Sequence, residues 1–152
     1  MSNIDLPSPT VDLIFLAKKE RAKNKGDFLN RTDEFIEQAE KRYRRYLALV
    51  KKHGGSLAPT RDIDAMWHLH MLRPGAYEQD CRSYFGRMLD HQPCGDDEAS
   101  RTENWNAFDR AARLWEQEYG APYYLGGDYD SAAARASCLC SGASCWDRPE
   151  PG

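Results

Sequence analysis

Apolar residues recur at steps of three and four along most of the chain, the spacing that places them on one face of an α-helix. The clearest such segment begins at Thr32, a predicted N-cap, and ends at the Gly54-Gly55 pair. Its apolar face consists of Phe35, Ile36, Ala39, Tyr43, Tyr46, Leu47 and Val50. A shorter apolar run from Val11 leads into a basic stretch that ends near Gly26. The pattern therefore predicts two helices in the first third of the chain.

Three further helices follow. The segment RDIDAMWHLHML predicts a compact helix that stops at Pro74, whose ring suits the first turn of the next helix. That next helix is predicted to run to about Asp90, and a fifth to end before Gly120. The face of the fourth helix is formed by Tyr77, Cys81, Tyr84, Phe85 and Met88, and that of the fifth by Trp105, Phe108, Ala112, Trp115 and Tyr119.

Composition supports one folded core. The chain has 152 residues, of which 41% are hydrophobic, enough for a single domain that buries most of its apolar surface. From residue 121 onward, Gly, Pro, Ser, Ala and Cys dominate. We therefore expect an all-α fold, a compact bundle of about five helices over residues 1–130, with an irregular Cys/Gly-rich tail over residues 131–152.

Charge limits the classes of partner. The net charge is −3, which argues against a dedicated duplex-binding protein. Residues 18–52 nevertheless carry a local +6 and residues 90–119 a local −5, from twelve basic against six acidic and three basic against eight acidic residues. The basic helix from Lys41 to Lys52 could dock an acidic protein partner or RNA, and a small ligand stays open. The opening MSNIDLPSPT lacks the features of a secretory signal, and no apolar run is long enough to span a bilayer, so we expect a soluble cytoplasmic protein without membrane contact.

The five cysteines favour reduced thiols or metal ligation over a disulfide framework, because their number is odd and no export signal precedes them. Three of them, Cys138, Cys140 and Cys145, lie within eight residues of the tail. With Cys94 they form a candidate second site of four thiolates. The alternative is a flexible tail in which these thiols are redox-active or simply tolerated.

The segment from Asp62 to Met71 concentrates the polar groups that could carry chemistry. On a helix, His70 falls within the arc that also holds Ile63, Met66 and Trp67. Asp64 and His68 are spaced i, i+4 and project from the flank of that arc, close enough for the carboxylate to orient the imidazole. His68 and His70 lie about 160° apart, so a regular helix cannot easily offer both to one ion.

The same segment resembles the glycine-rich-domain-containing-protein-like family. The residues that carry the resemblance are Asp62, Asp64, Trp67, His68, His70, Pro74, Tyr77, Asp80, Cys81, Phe85 and Gly86. Flanking pieces extend the likeness to roughly residues 30–125, but no long glycine-rich region follows. The resemblance implies no established reaction.

Two hypotheses of different class remain. A short Arg73-Pro74 turn would bring Asp80 or Cys81 toward His70, and a mixed His/Cys/Asp set suits zinc or another divalent transition metal. The candidate ligands are Asp64, His68, His70, Cys81 and His91, with Asp62, Trp67, Tyr77 and Asp80 as the surrounding pocket. Such a site could serve a zinc-type enzyme, for example a hydrolase. Alternatively, the same residues form a buried polar network in a helical binding domain. We favour binding because no complete catalytic set is present, and whether the chain is an enzyme stays open.

Overall fold

The computed structural model describes residues 4–93, 97–124 and 145–146, and only the backbone of 92–93 and 145–146. It contains five α-helices in these ranges, so the predicted all-α class is confirmed. The helices are α1 (Leu13–Ala22), α2 (Asp33–His53), α3 (Arg61–Met71), α4 (Pro74–Phe85) and α5 (Glu98–Tyr119).

Side-chain caps and glycines set the helix ends. Asp12 caps α1 by accepting a hydrogen bond of 3.0 Å from the Phe15 amide. Helix α4 ends at Phe85, earlier than predicted, because Gly86 adopts a left-handed conformation with φ of 76°. Gly120 ends α5 in the same way, with φ of 63°.

One feature was not predicted. Gln92–Pro93 and Cys145–Trp146 form two strands, β1 and β2, which pair antiparallel with Gln92 opposite Trp146. Each strand has two residues, so the pairing adds little to a helical fold. Within the described ranges, no helix is both long enough and apolar enough to cross a bilayer.

The described residues form two compact units. We call Asp5–Ala48 with Asp62–Leu89 the N-terminal unit. The C-terminal unit contains Leu49–Arg61. Its other described parts are residue 4 and the ranges 90–93, 97–124 and 145–146. The prediction of one helical domain over residues 1–130 with a tail at 131–152 stays a prediction.

Each unit has its own buried side chains. In the N-terminal unit these include Leu13, Phe28, Ile36, Tyr43, Tyr46, Ile63, Met66, Trp67 and Tyr77. In the C-terminal unit they include Leu49, Leu57, Phe108, Trp115 and Tyr123. The hydroxyl of Tyr123 donates to the Ala58 carbonyl at 2.6 Å, which satisfies a buried polar group within the C-terminal unit.

Candidate functional site

His70 on α3 lies at the centre of a hydrogen-bonded network in the N-terminal unit. Its side chain is buried, with 2% of its surface exposed. The ring Nδ1 lies 2.8 Å from the Tyr43 hydroxyl on α2, and Nε2 lies 2.7 Å from Oδ2 of Asp80 on α4. Both ring nitrogens therefore have protein partners, and the residue connects three helices.

The environment fixes the protonation of this ring. Burial lowers the pKa of His70, and the hydrogen bond to Asp80 only partly opposes that effect, so the imidazole is neutral at pH 7. Because a carboxylate only accepts, Nε2 carries the proton and donates it to Asp80. Burial raises the pKa of Tyr43 well above its usual value, so its hydroxyl stays protonated and donates to Nδ1. The arrangement satisfies every polar atom of the ring.

Trp67 and Tyr77 form a second buried chain of hydrogen bonds. The indole Nε1 of Trp67 donates to the Tyr77 hydroxyl at 2.8 Å, and that hydroxyl donates to the Leu89 carbonyl at 2.5 Å. The Tyr77 ring also stands edge-on to His70, with centroids 5.0 Å apart. Of the residues predicted to wall the pocket, Tyr77 thus packs its ring against His70 while its hydroxyl is bonded to Trp67 and Leu89.

Asp62 makes a buried ion pair that sequence reasoning missed. Its Oδ2 accepts from Nε of Arg42 at 2.7 Å, and the two side chains are only 1% and 8% exposed. Arg42 belongs to the basic helix that was predicted to dock a partner, whereas the structure turns its side chain inward. One signal was available, since an aspartate at the edge of an apolar arc needs a cation when it is buried.

Asp64 and His68 pair as their i, i+4 spacing predicts. Oδ1 of Asp64 and Nε2 of His68 are 3.5 Å apart, with Asp64 buried and His68 36% exposed. Burial raises the pKa of Asp64 to about 7, an effect that the nearby His68 partly opposes. His91 belongs to the C-terminal unit, where burial lowers its pKa to about 4. Among the predicted ligands, Asp64 and His68 therefore form a pair within the N-terminal unit. A structural zinc site needs four ligands.

Cys81 on α4 is a buried free thiol. Burial raises its pKa, so it is not a thiolate at neutral pH and is a poor nucleophile. Within residues 4–91 and 97–124, neither Cys81 nor His70 belongs to a group of three side chains placed to hold an ion. The zinc hypothesis stays a prediction.

The predicted second site falls almost wholly outside the described residues. The described residues do not include Cys94, Cys138 or Cys140. Of Cys145, only the backbone in β2 is described. A four-thiolate site in the tail stays a prediction.

Sequence reasoning also missed two partners of the His70 network. Tyr43 was assigned to the apolar face of α2, although a buried tyrosine normally finds a partner for its hydroxyl. Thr10 was given no role in the site. Its amide and its Oγ1 donate to Oδ2 of Asp80 at 3.0 and 3.3 Å, so the network reaches the segment before α1.

Comparison with known proteins shows which proteins this part of the chain resembles. The chain is 29% identical over 101 residues to glycine-rich domain-containing protein 1 of Arabidopsis thaliana. The aligned region covers 63% of the chain and 12% of that protein. It is also 29% identical over 100 residues to glycine-rich domain-containing protein 2 of the same plant, covering 62% of the chain and 13% of that protein. The chain therefore corresponds to only a small part of the curated relatives it matches. No solved structure shows significant similarity to it.

The family comparison covers the segment in which the network lies. Residues 12–80 match the family described as glycine-rich domain-containing protein-like. This range includes α1, α2, α3 and the first part of α4, with Tyr43, His70 and Asp80. By this match, and by the relatives from Arabidopsis thaliana, residues 12–80 of the chain are similar to the glycine-rich domain-containing protein-like family.

Proposed function

We propose that the chain is a helical binding domain in which the His70 network holds the helices in place and takes no part in a reaction. The observation that carries this proposal is that both ring nitrogens of His70 are already bonded, to Tyr43 and Asp80. A general base or a metal ligand needs a ring nitrogen that is open to its substrate or ion. Binding therefore falls to the surface of the domain.

A groove of about 150 Å³ in the N-terminal unit is the surface that fits this role. It combines four basic side chains, one acidic side chain and three leucines. They are Lys19, Lys23, Lys25, Arg73, Glu20, Leu16, Leu69 and Leu72. Leu72 is 70% exposed, an unusual position for a large aliphatic side chain.

The chemistry of this groove suits an acidic segment of a partner protein that also carries apolar side chains. The four cations outnumber the single carboxylate, and the leucines offer apolar contact that RNA phosphates would not use. The basic helix α2 is less suitable than the sequence indicated. Three of its cations are engaged within their own units, Arg42 with Asp62, Arg44 with Glu40 and Lys52 with Glu118.

Charge reversal in the groove tests the proposal. A fluorescein-labelled peptide of alternating Glu-Glu and Leu-Leu pairs is expected to bind the full chain, and fluorescence anisotropy measures the affinity. The double variant Lys23→Glu with Arg73→Glu should weaken binding by about tenfold or more, because attraction across the groove becomes repulsion. Raising the salt from about 0.05 M to about 0.5 M should weaken it as well.

The matched control is Lys41→Glu with Arg113→Glu, which changes the charge equally at exposed positions outside the groove. This variant should bind the peptide within about twofold of the natural chain if contact in the groove, and not net charge, controls affinity. Equal loss in both variants, or no binding to the natural chain, would refute the proposal. If a single-stranded uridine oligonucleotide binds the same groove more tightly than the peptide, the ligand of the groove is RNA and not an acidic segment.

A further inference from the structure

The segment before α1 lies against the His70 network as an extended strap. Residues 5–10, which we call the strap, have neither helix nor strand structure. Pro7 is buried, Ser8 is exposed and Pro9 is half-buried. Because of this alternation, both proline rings face the rest of the N-terminal unit, and the serine is left in solvent.

The two prolines fill a small cavity with aromatic walls. Besides Pro7 and Pro9, the lining residues are Tyr43, Leu47, His70, Tyr77, Asp80, Cys81, Tyr84 and Phe85. The free space beside the rings is about 10 Å³, room for about one water molecule. We call the walls of this cavity, without the prolines, the aromatic cradle.

Hydrogen bonds hold the strap at both ends. The Tyr84 hydroxyl donates to the Asp5 carbonyl at 2.8 Å. Burial raises the pKa of Tyr84 to about 12, so this hydroxyl remains a donor at any physiological pH. At the other end, Oδ2 of Asp80 accepts from the amide and the Oγ1 of Thr10. These contacts fix the main chain of the strap, and the prolines supply its buried surface.

Proline is well suited to such a cradle for physical reasons. Its ring fixes φ, so an extended Pro-x-Pro segment loses little conformational entropy on binding. It also lacks an N–H, so its burial leaves no backbone donor without a partner. Aromatic grooves that accept proline rings while hydroxyl groups bind the neighbouring carbonyls are a general mode of peptide recognition.

We infer that the aromatic cradle is a proline-recognition site, occupied by the chain's own Pro7-Ser8-Pro9, and that a Pro-x-Pro segment of another protein binds there by displacing the strap. Release of the strap breaks no helix, because the strap ends before the Asp12 cap of α1. The tether gives the strap an effective concentration of about millimolar, so a free peptide competes weakly until the strap is loosened. The site is separate from the leucine and lysine groove, and its test does not depend on binding there.

The probe is a labelled peptide with the sequence of residues 4–12, IDLPSPTVD. The strap is loosened in the full chain by Pro7→Ala with Pro9→Ala, which leaves every wall of the cradle intact. This variant should bind the peptide about tenfold or more tightly than the natural chain, since its own strap competes less. Ser8→Ala, a change at the exposed strap position, should leave the affinity unchanged.

Two controls identify the cradle as the binding site. A peptide with alanine at both proline positions should not bind. Phe85→Ala, added to the loosened variant, should abolish binding, whereas Phe15→Ala, at a side chain that is 58% exposed and outside the cradle, should not.

A measurement on the natural chain keeps the inference testable if the loosened variant fails to fold. In ¹H–¹⁵N spectra, excess peptide should shift the signals of Tyr84 and Phe85. It should also move those of Asp5, Leu6, Ser8 and Thr10, the strap residues with an amide proton, toward positions typical of an unstructured chain. The inference fails if the peptide binds neither the natural nor the loosened chain, if Phe85→Ala does not alter binding, or if binding leaves the strap signals in place.

Discussion

Replacement of Asp62 by alanine is expected to destabilise the protein by about 3–5 kcal/mol, because it removes the carboxylate that compensates the buried charge of Arg42. The Oδ2 to Nε distance is 2.7 Å, and both side chains are almost fully removed from solvent. An arginine cannot lose its charge in a protein interior, so the lost pairing appears directly in the free energy of unfolding. Urea denaturation followed by circular dichroism measures the change.

The matched control for Asp62 is an exposed ion pair in the same unit. Arg82 donates to Glu78 at 3.1 Å, and both side chains are more than half exposed. Glu78→Ala should therefore cost less than about 1 kcal/mol. If Asp62→Ala were as mild as Glu78→Ala, the ion pair would not be the internal contact that we describe.

Trp67→Ala is expected to cost about 3–5 kcal/mol, the usual range when a large aromatic side chain is removed from a core. Trp67 has no exposed surface, and its ring packs 5.6 Å from that of Tyr46. The change also removes the donor to the Tyr77 hydroxyl. A cavity and a broken hydrogen-bond chain therefore act together, and thermal unfolding should show a marked fall in Tm.

Trp105 provides the control for Trp67, since it is the same residue type at a position that is 44% exposed. Trp105→Ala should change the free energy of unfolding by less than about 1.5 kcal/mol. A smaller effect at Trp67 than at Trp105 would contradict the placement of Trp67 in the core of the N-terminal unit.

Local sequence signals were sufficient to predict the helices. The three- and four-residue spacing of apolar positions predicted α2, and the Thr32 cap and the Gly54-Gly55 pair placed its ends to within one residue. The end of α4 was misplaced because the apolar face extends to Met88, past the left-handed Gly86. The sequence alone allows Gly86 either inside a helix that runs to about Asp90 or just after a helix that ends at Phe85. Its left-handed backbone conformation decides for the second.

The candidate site was predictable in part. The arc of α3 placed His70 inward and paired Asp64 with His68, and both features depend on one helix alone. The identity of the partners depends on other helices. Asp80 was named with Cys81 as a neighbour of His70, but the Thr10 contact to Asp80 spans 70 residues of sequence, and no local pattern encodes a contact of that range.

Burial of charge was the least predictable feature. Residues 18–52 contain twelve basic residues and carry a local charge of +6, from which a basic docking helix was predicted. The structure divides them, because Arg42 is buried against Asp62 while Lys19 and Lys23 line a groove. Spacing along a helix does not reveal which cations meet a carboxylate from another helix.

The structural role of His70 is tested most directly by the long-range ¹H–¹⁵N spectrum of its ring, recorded across pH with and without an equimolar amount of Zn²⁺. The structure predicts a neutral ring with its proton on Nε2, a protonation midpoint below 6.5, and no change at either nitrogen when zinc is added. A zinc-dependent shift of Nδ1 or Nε2 would show that the ring is open to a ligand and would contradict the binding-domain account. A midpoint above 6.5 would contradict the neutral, buried ring on which that account depends.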